Sequence, residues 1–266
     1  MSDEPPRPAV LDPQEIYERA EAEGERRLSM TAQDQVMTGF IAGVTIVFGI
    51  VALGVVEALV EPSLGHGVAK LAGALAFAVG LVFLIVGRTE LFSENFFDPV
   101  AAAIAQGGGK AWVRLARLWV IILALNLVGG AVLVGVISID GALPEGAPHA
   151  LVGAAEEIAG KEWAATLARA VLAGALVALL SYMLNAVNTV VARIMVAYLV
   201  GFLLALGPFD HVVVSALHLL FGVWNSSVVG YADLGVNVVL ATTGNLVGGL
   251  LLITLTHTAQ FRSERG

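Results

Sequence analysis

Six apolar runs follow one another along this chain, at 35–60, 70–87, 111–137, 163–184, 190–206 and 236–257, and they dictate the medium in which it folds. A helix rising 1.5 Å per residue needs ~20 apolar residues to cross a hydrocarbon layer of ~30 Å. Six crossings are therefore expected. Composition agrees. Of the 266 residues 58% are hydrophobic and 14% charged, with a mean hydropathy of +0.85, whereas a soluble domain is about half apolar and a quarter charged. Two further apolar pieces, 96–105 and 212–223, are too short to cross as helices. Each follows a run interrupted by charge, so the second and fifth spans are expected to be broken helices.

The basic residues give an orientation. Arg26 and Arg27 precede the first run; Lys110, Arg114 and Arg117 follow the second, Arg193 the fourth, and Arg262 and Arg265 the sixth. If each run crosses once, all of them share one side, and the positive-inside rule places both termini in the cytoplasm of an inner (plasma) membrane. The other side holds Glu61, Asp140, Glu145, Glu156, Glu157 and Asp233, with Lys70 and Lys161 as its bases. The chain divides into a polar N-terminal segment at 1–33, a transmembrane domain at 34–260 and a cytoplasmic tail at 261–266. No cleavable leader is expected in the first segment, and residues 13–30 predict a charged surface helix. That helix is read as solvated or as a packing element for a neighbouring subunit.

The pentapeptide NLVGG occurs at 126–130 and again at 245–249, 119 positions on (245 − 126). Three spans lie in 34–140 and three in 161–260, an odd number in each half. Equivalent spans then run in opposite directions, the plan of an inverted repeat. NLVGG falls in spans three and six, where its small residues are read as letting helix backbones approach closely. The expected fold is an all-α polytopic membrane protein of six helices, in two inverted three-helix repeats with broken second and fifth helices.

The first break reads GRTELFSENFFDP, 87–99. It carries Glu90, Glu94 and Asp98 four residues apart, each costing ~2.5–3.5 kcal/mol at the centre of a lipid-facing helix. Those carboxylates must line a cavity, meet bases or lie near an interface. Ser93 is expected to cap the short helix that follows. The second break reads LGPFDHVVVSALH, 206–218, where Pro208 suits the first turn of a new helix that would contain Asp210 and His211. His211 is read as functional, beside Asp210 and opposite the other break. His218, two turns on, is read as a packing histidine.

On these residues the chain resembles the formate/nitrite transporter family. The stretch KLAGALAFAVGLVFLIVGRTELFS at 70–93, FDH at 209–211 and the two NLVGG copies carry the resemblance, which extends over nearly everything after residue 30. It implies an aquaporin-like protomer with one pore, in a homopentamer. Ser93 matches the hydroxyl of the first broken loop, and His211 the central pore histidine. Phe77 and Leu81 match apolar constriction residues, and Leu204 stands where a constricting phenylalanine is usual. Lys161 corresponds to the family's lysine. Gly174 replaces the family's pore asparagine, and Glu94 stands where a small residue is typical. Glu94 is expected to pair with Arg88 or Arg169, the alternatives being a protonated carboxyl or a pore that rejects anions.

The sequence thus reads as a channel or secondary transporter for small monovalent anions of weak acids, linked to protons. A net charge of −8 without a basic stripe argues against nucleic acid. The absence of cysteine excludes disulfides and thiolate metal sites, and no metal or other cofactor is expected. No nucleophile elbow supports an enzyme. The alternatives are a neutral-solute pore, for which paired N-P-A motifs are missing, and a non-transporting receptor or assembly protein on the same fold.

Overall fold

The computed structural model describes residues 11–265, and their regular structure is helical throughout. Residues 1–10 of the expected N-terminal segment and Gly266 of the tail lie outside the described residues. Helix α1 (Pro13–Ser29) is followed by α2 (Ala32–Leu64), which opens on a capping box. The Thr31 hydroxyl accepts from the Asp34 amide while the Asp34 carboxylate accepts from the Thr31 amide. One residue, Gly65 at φ +79°, turns the chain into α3 (His66–Val86). After the first break come α4 (Asp98–Gln106) and α5 (Gly108–Ile137), and then α6 (Ala147–Ala159) in the connecting loop. The second half holds α7 (Trp163–Ala186), α8 (Val190–Leu206), α9 (Val212–Asn225) and α10 (Tyr231–Val247). A π-helical turn, Gly248–Thr254, joins α10 to α11 (Leu255–Arg265).

Among the described residues five helical stretches are long and apolar enough to cross a membrane: α2, α3, α5, α7 and Tyr231–Ser263. Helix α8 is apolar but shorter, at 17 residues. The two broken spans are thus unequal. With 21 residues, α3 reaches ~31 Å at 1.5 Å per residue, so the first break falls at its end. Large apolar residues such as Leu59, Val113, Val120 and Val239 are exposed on the outside of the bundle, as lipid-facing residues must be.

The halves pack by the same device. A Cβ at Gly43 would collide with the Asn126 carbonyl, and one at Gly129 with the Phe40 carbonyl, so α2 and α5 cross backbone to backbone. In the second half Gly174 meets the Asn245 carbonyl and Gly248 the Val171 carbonyl, bringing α7 against α10 in the same way. With little hydrophobic drive between helices in lipid, this close approach supplies the packing.

Helix α1 departs from the sequence expectation of a solvated or neighbour-bound helix. Its Ile16, Tyr17, Ala20, Gly24, Arg27 and Leu28 recur at helical spacing and are buried against the same chain. Gly24 lies on the Asp98 carbonyl, where a side chain would clash. Tyr17 stacks on Phe261 with ring centroids 4.2 Å apart and meets the edge of Phe97. The segment expected as a tail is therefore helical to Arg265, and α1 and α11 occupy one face of the bundle. Burial pushes the Glu23 carboxyl up, but hydrogen bonds and charge from Arg26 and Arg27 overcome this and hold it at about 2. That contribution is present above the unfolded carboxylate range and is lost only as pH falls toward about 2.

Candidate pore

At the first break the chain leaves α3 through Gly87 and Arg88, whose φ of +54° is left-handed. A single 3₁₀ turn, Phe92–Phe96, then delivers it to α4. Ser93 does not cap α4, because this turn intervenes and Phe97 occupies the cap position. The Ser93 hydroxyl instead lies 2.5 Å from Nε2 of His211, and both residues are buried. At the second break α9 starts at Val212, later than expected: Pro208 and Asp210 precede the helix and His211 is its N-cap. His211 Nδ1 accepts from the Val214 amide at 3.4 Å. That bond assigns the ring proton to Nε2, from which it is donated to Ser93 Oγ.

What holds the breaks open is the repeated asparagine. Asn126 Oδ1 accepts from the Phe92 amide at 2.9 Å, while its Nδ2 donates to the carbonyls of Glu90 (3.0 Å) and Gly39 (2.8 Å). Asn245 Oδ1 accepts from the Val212 amide at 2.9 Å, and its Nδ2 donates to the carbonyls of Asp210 (3.0 Å) and Ala170 (2.8 Å). Each side chain thereby satisfies backbone groups freed by a break and ties the break to the first helix of its own half. From sequence, NLVGG reads as a packing motif. Its glycines do pack, but its asparagines are joints, and the signal was available: an amide repeated within two apolar spans needs polar partners.

Two cavities lie beside the breaks, one lined by Asp210 of the second and the other by Arg88 and Asp98 of the first. One, of about 350 Å³, lies on the α6 side and is lined by Phe77, Leu204, Lys161, Asp210 and His218, among others. The other, of about 320 Å³, lies on the α1 side and includes Arg27, Arg88, Asp98, Asn185 and Arg193. Phe77, Leu81 and Leu204 belong to the buried apolar core, and Phe77 and Leu204 also form part of the lining of the α6-side cavity. Lys161 reaches Asp210 and forms an ion pair with its Oδ1, bringing together two residues 49 positions apart. His218 Nδ1 meets the Val214 carbonyl at 3.0 Å, a helix-internal contact.

The carboxylates of the first break meet bases that sequence reasoning did not assign to them. Glu90 pairs with Arg26 at 3.0 Å and with Arg27 at 3.4 Å, and Asp98 approaches Arg27 at 3.8 Å. Arg27 Nη1 also donates to the Glu94 carbonyl at 3.1 Å, which accepts the Ser181 hydroxyl at 2.8 Å as well. The expected pairing of Glu94 with Arg88 or Arg169 is not formed: those arginines line different cavities. The Glu94 carboxylate instead accepts from the Leu91 amide at 3.4 Å, across its own turn. Three of these partners, Arg26, Arg27 and Ser181, lie far away in sequence.

The sequence matches the formate/nitrite transporter family over residues 14–259. The chain belongs to that family. It is 26% identical over 250 residues to the inner membrane protein YfdC of Escherichia coli (strain K12), a match covering 94% of this chain and 79% of the relative. A solved FNT family ion channel superposes with a TM-score of 0.78 at 19% identity, covering 92% of this chain and 98% of that one. A pentameric formate channel with formate bound gives 0.71 at 19% identity, with coverages of 86% and 97%. This chain shares the fold of those channels over the matched residues. Family membership makes this chain a multi-pass membrane transport protein and not an enzyme.

Proposed function

We propose that this chain conducts small monovalent anions of weak acids, with formate as the reference substrate, through one pore in each subunit of a homopentamer. The membrane is the inner membrane, with both termini cytoplasmic, as the basic residues beside α1 and α11 and the relative from E. coli suggest. The observation that carries the reading is the buried Ser93–His211 contact, which joins the two broken elements across the two halves.

Transport is linked to protons. Phe77, Leu81 and Leu204 offer a passing ion no replacement for its hydration shell, so a bare anion meets a barrier there. Lys161 on the α6 side attracts the anion while Asp210 limits the depth of that attraction. A weak acid that takes up a proton in the cavity crosses the apolar rings as a neutral molecule. Ser93 and the Nε2–H of His211 supply hydrogen bonds where water is excluded. With Nδ1 engaged by the Val214 amide, His211 acts as a donor on this path rather than as a second cation.

Uptake into proteoliposomes across formate, nitrite, acetate, lactate and hydrosulfide, at two pH values, tests the proposal. Saturable formate or nitrite flux that rises at the lower pH, and falls at least about tenfold in His211→Phe as a buried donor is lost, is the expected result. No flux of any of the five anions would leave a receptor or assembly role on the same fold as the better reading.

A further inference from the structure

We infer that the cavity on the α1 side is an anion-capture site in which Arg88 and Arg193 hold the oxyanion group of the substrate before it reaches Ser93 and His211. The inference deepens the transport reading and rests on it. Three arginines line this cavity, Arg27, Arg88 and Arg193, against two carboxylates, Glu23 and Asp98. Arg27 is consumed by Glu90, Asp98 and the Glu94 carbonyl. Among the described residues neither Arg88 nor Arg193 forms an ion pair; Arg193 gives one hydrogen bond, from Nη1 to the Leu184 carbonyl at 3.2 Å. Two guanidinium groups therefore retain donors toward the cavity.

The backbone at Arg88 adds an independent observation. Its φ of +54° is the single left-handed value outside glycine among the described residues. That conformation is costly for an L-residue and free for glycine. The turn holds an arginine there all the same, on the lining of the cavity and five residues before Ser93.

The opposite cavity is arranged differently. Four carboxylates, Glu57, Glu61, Glu157 and Asp210, face three permanent bases, of which Lys70 is paired with Glu157 and Lys161 with Asp210. Among the described residues Arg169 has no ion pair there either, but acids outnumber permanent bases on that lining and the reverse holds on the α1 side, which therefore carries the net positive charge. A guanidinium presents two parallel N–H donors, which match two oxygens in one plane. Formate, nitrite and acetate offer that pair; hydrosulfide offers one atom. The site accordingly favours oxyanions, and it favours entry from the α1 face.

Formate flux measured from each face, in right-side-out and inside-out membrane vesicles carrying the full chain, tests this. The chain has no cysteine, so Ser263→Cys with an impermeant maleimide reports which face is outside. Each of Arg88→Gln and Arg193→Gln is expected to raise the half-saturating formate concentration from the α1 face about threefold, and the double variant about tenfold, the scale of exposed ion pairs. From the α6 face it should change less than about twofold, as should hydrosulfide flux from either face, because neither uses the paired donors. Arg88→Lys keeps charge without the fork and should recover part of the loss. Equal changes on both faces, or no change, would overturn the inference; should the double variant not assemble, Arg88→Gln alone decides by the same criterion. A wild-type chain that carries neither formate nor nitrite from either face defeats the transport reading instead.

Discussion

The two breaks share one joint and differ in everything built around it. Asn126 and Asn245 make matching sets of three hydrogen bonds, and each is seated by a glycine in the facing helix, Gly43 or Gly174. Around the first joint stand three buried carboxylates, of which Glu90 and Asp98 take their bases from α1, outside the repeat. Around the second stands one carboxylate, Asp210, with a lysine from the start of its own half. The comparison teaches that the joint is fixed by backbone groups that must be satisfied in any broken membrane helix. The charges are free to diverge because they are balanced locally.

The largest separation between the breaks should come from Arg27→Met. Removing Arg27 leaves the buried Asp98 without its base and Glu90 with Arg26 alone, at a cost of ~3–5 kcal/mol. Thermal denaturation in detergent should show unfolding at markedly lower temperature, with Lys161→Met at the second break shifting it less, since Lys161 is partly exposed. A larger effect from Lys161→Met would mean that α1 is peripheral. The next effect should be the same on both sides. Asn126→Leu and Asn245→Leu each strand two carbonyls and an amide, costing ~2–4 kcal/mol at ~1–3 kcal/mol per unsatisfied buried group with partial relaxation. Similar losses in the two variants are expected from paired melting curves, and a silent Asn245→Leu would break the symmetry of the joints. The smallest effect should be Glu94→Gln, within about 1 kcal/mol, because that carboxylate accepts one long hydrogen bond and an amide oxygen can replace it. A loss as large as that of Arg27→Met would show that Glu94 carries its own ion pair.

Much of this architecture was legible in the sequence. The apolar runs place the spans to within a few residues, since length and hydrophobicity are local properties. The breaks were equally visible, because charge and Gly–Pro cannot continue a lipid-facing helix. Their local geometry was less so. Ser93 was expected to cap α4, but the 3₁₀ turn redirects it to His211, a residue 118 positions away. The partners of Glu90 and Asp98 escaped for a different reason. Arg26 and Arg27 sit in a polar segment, and nothing local reveals which surface that segment covers. The clue was a balance of charge. Three buried acids require bases, and α1 carries a buried stripe at helical spacing that ends in Arg27 and Leu28.

Each asparagine joint draws every partner from its own half: Gly39, Glu90 and Phe92 for Asn126, and Ala170, Asp210 and Val212 for Asn245. The first half can therefore lock its break during synthesis, before the second half has left the ribosome. What neither half possesses alone is the contact between Ser93 and His211, which forms only across the seam. An ancestral chain one repeat long would have carried a finished hinge and no pore, and the conduit would have arisen when two such hinges first met face to face.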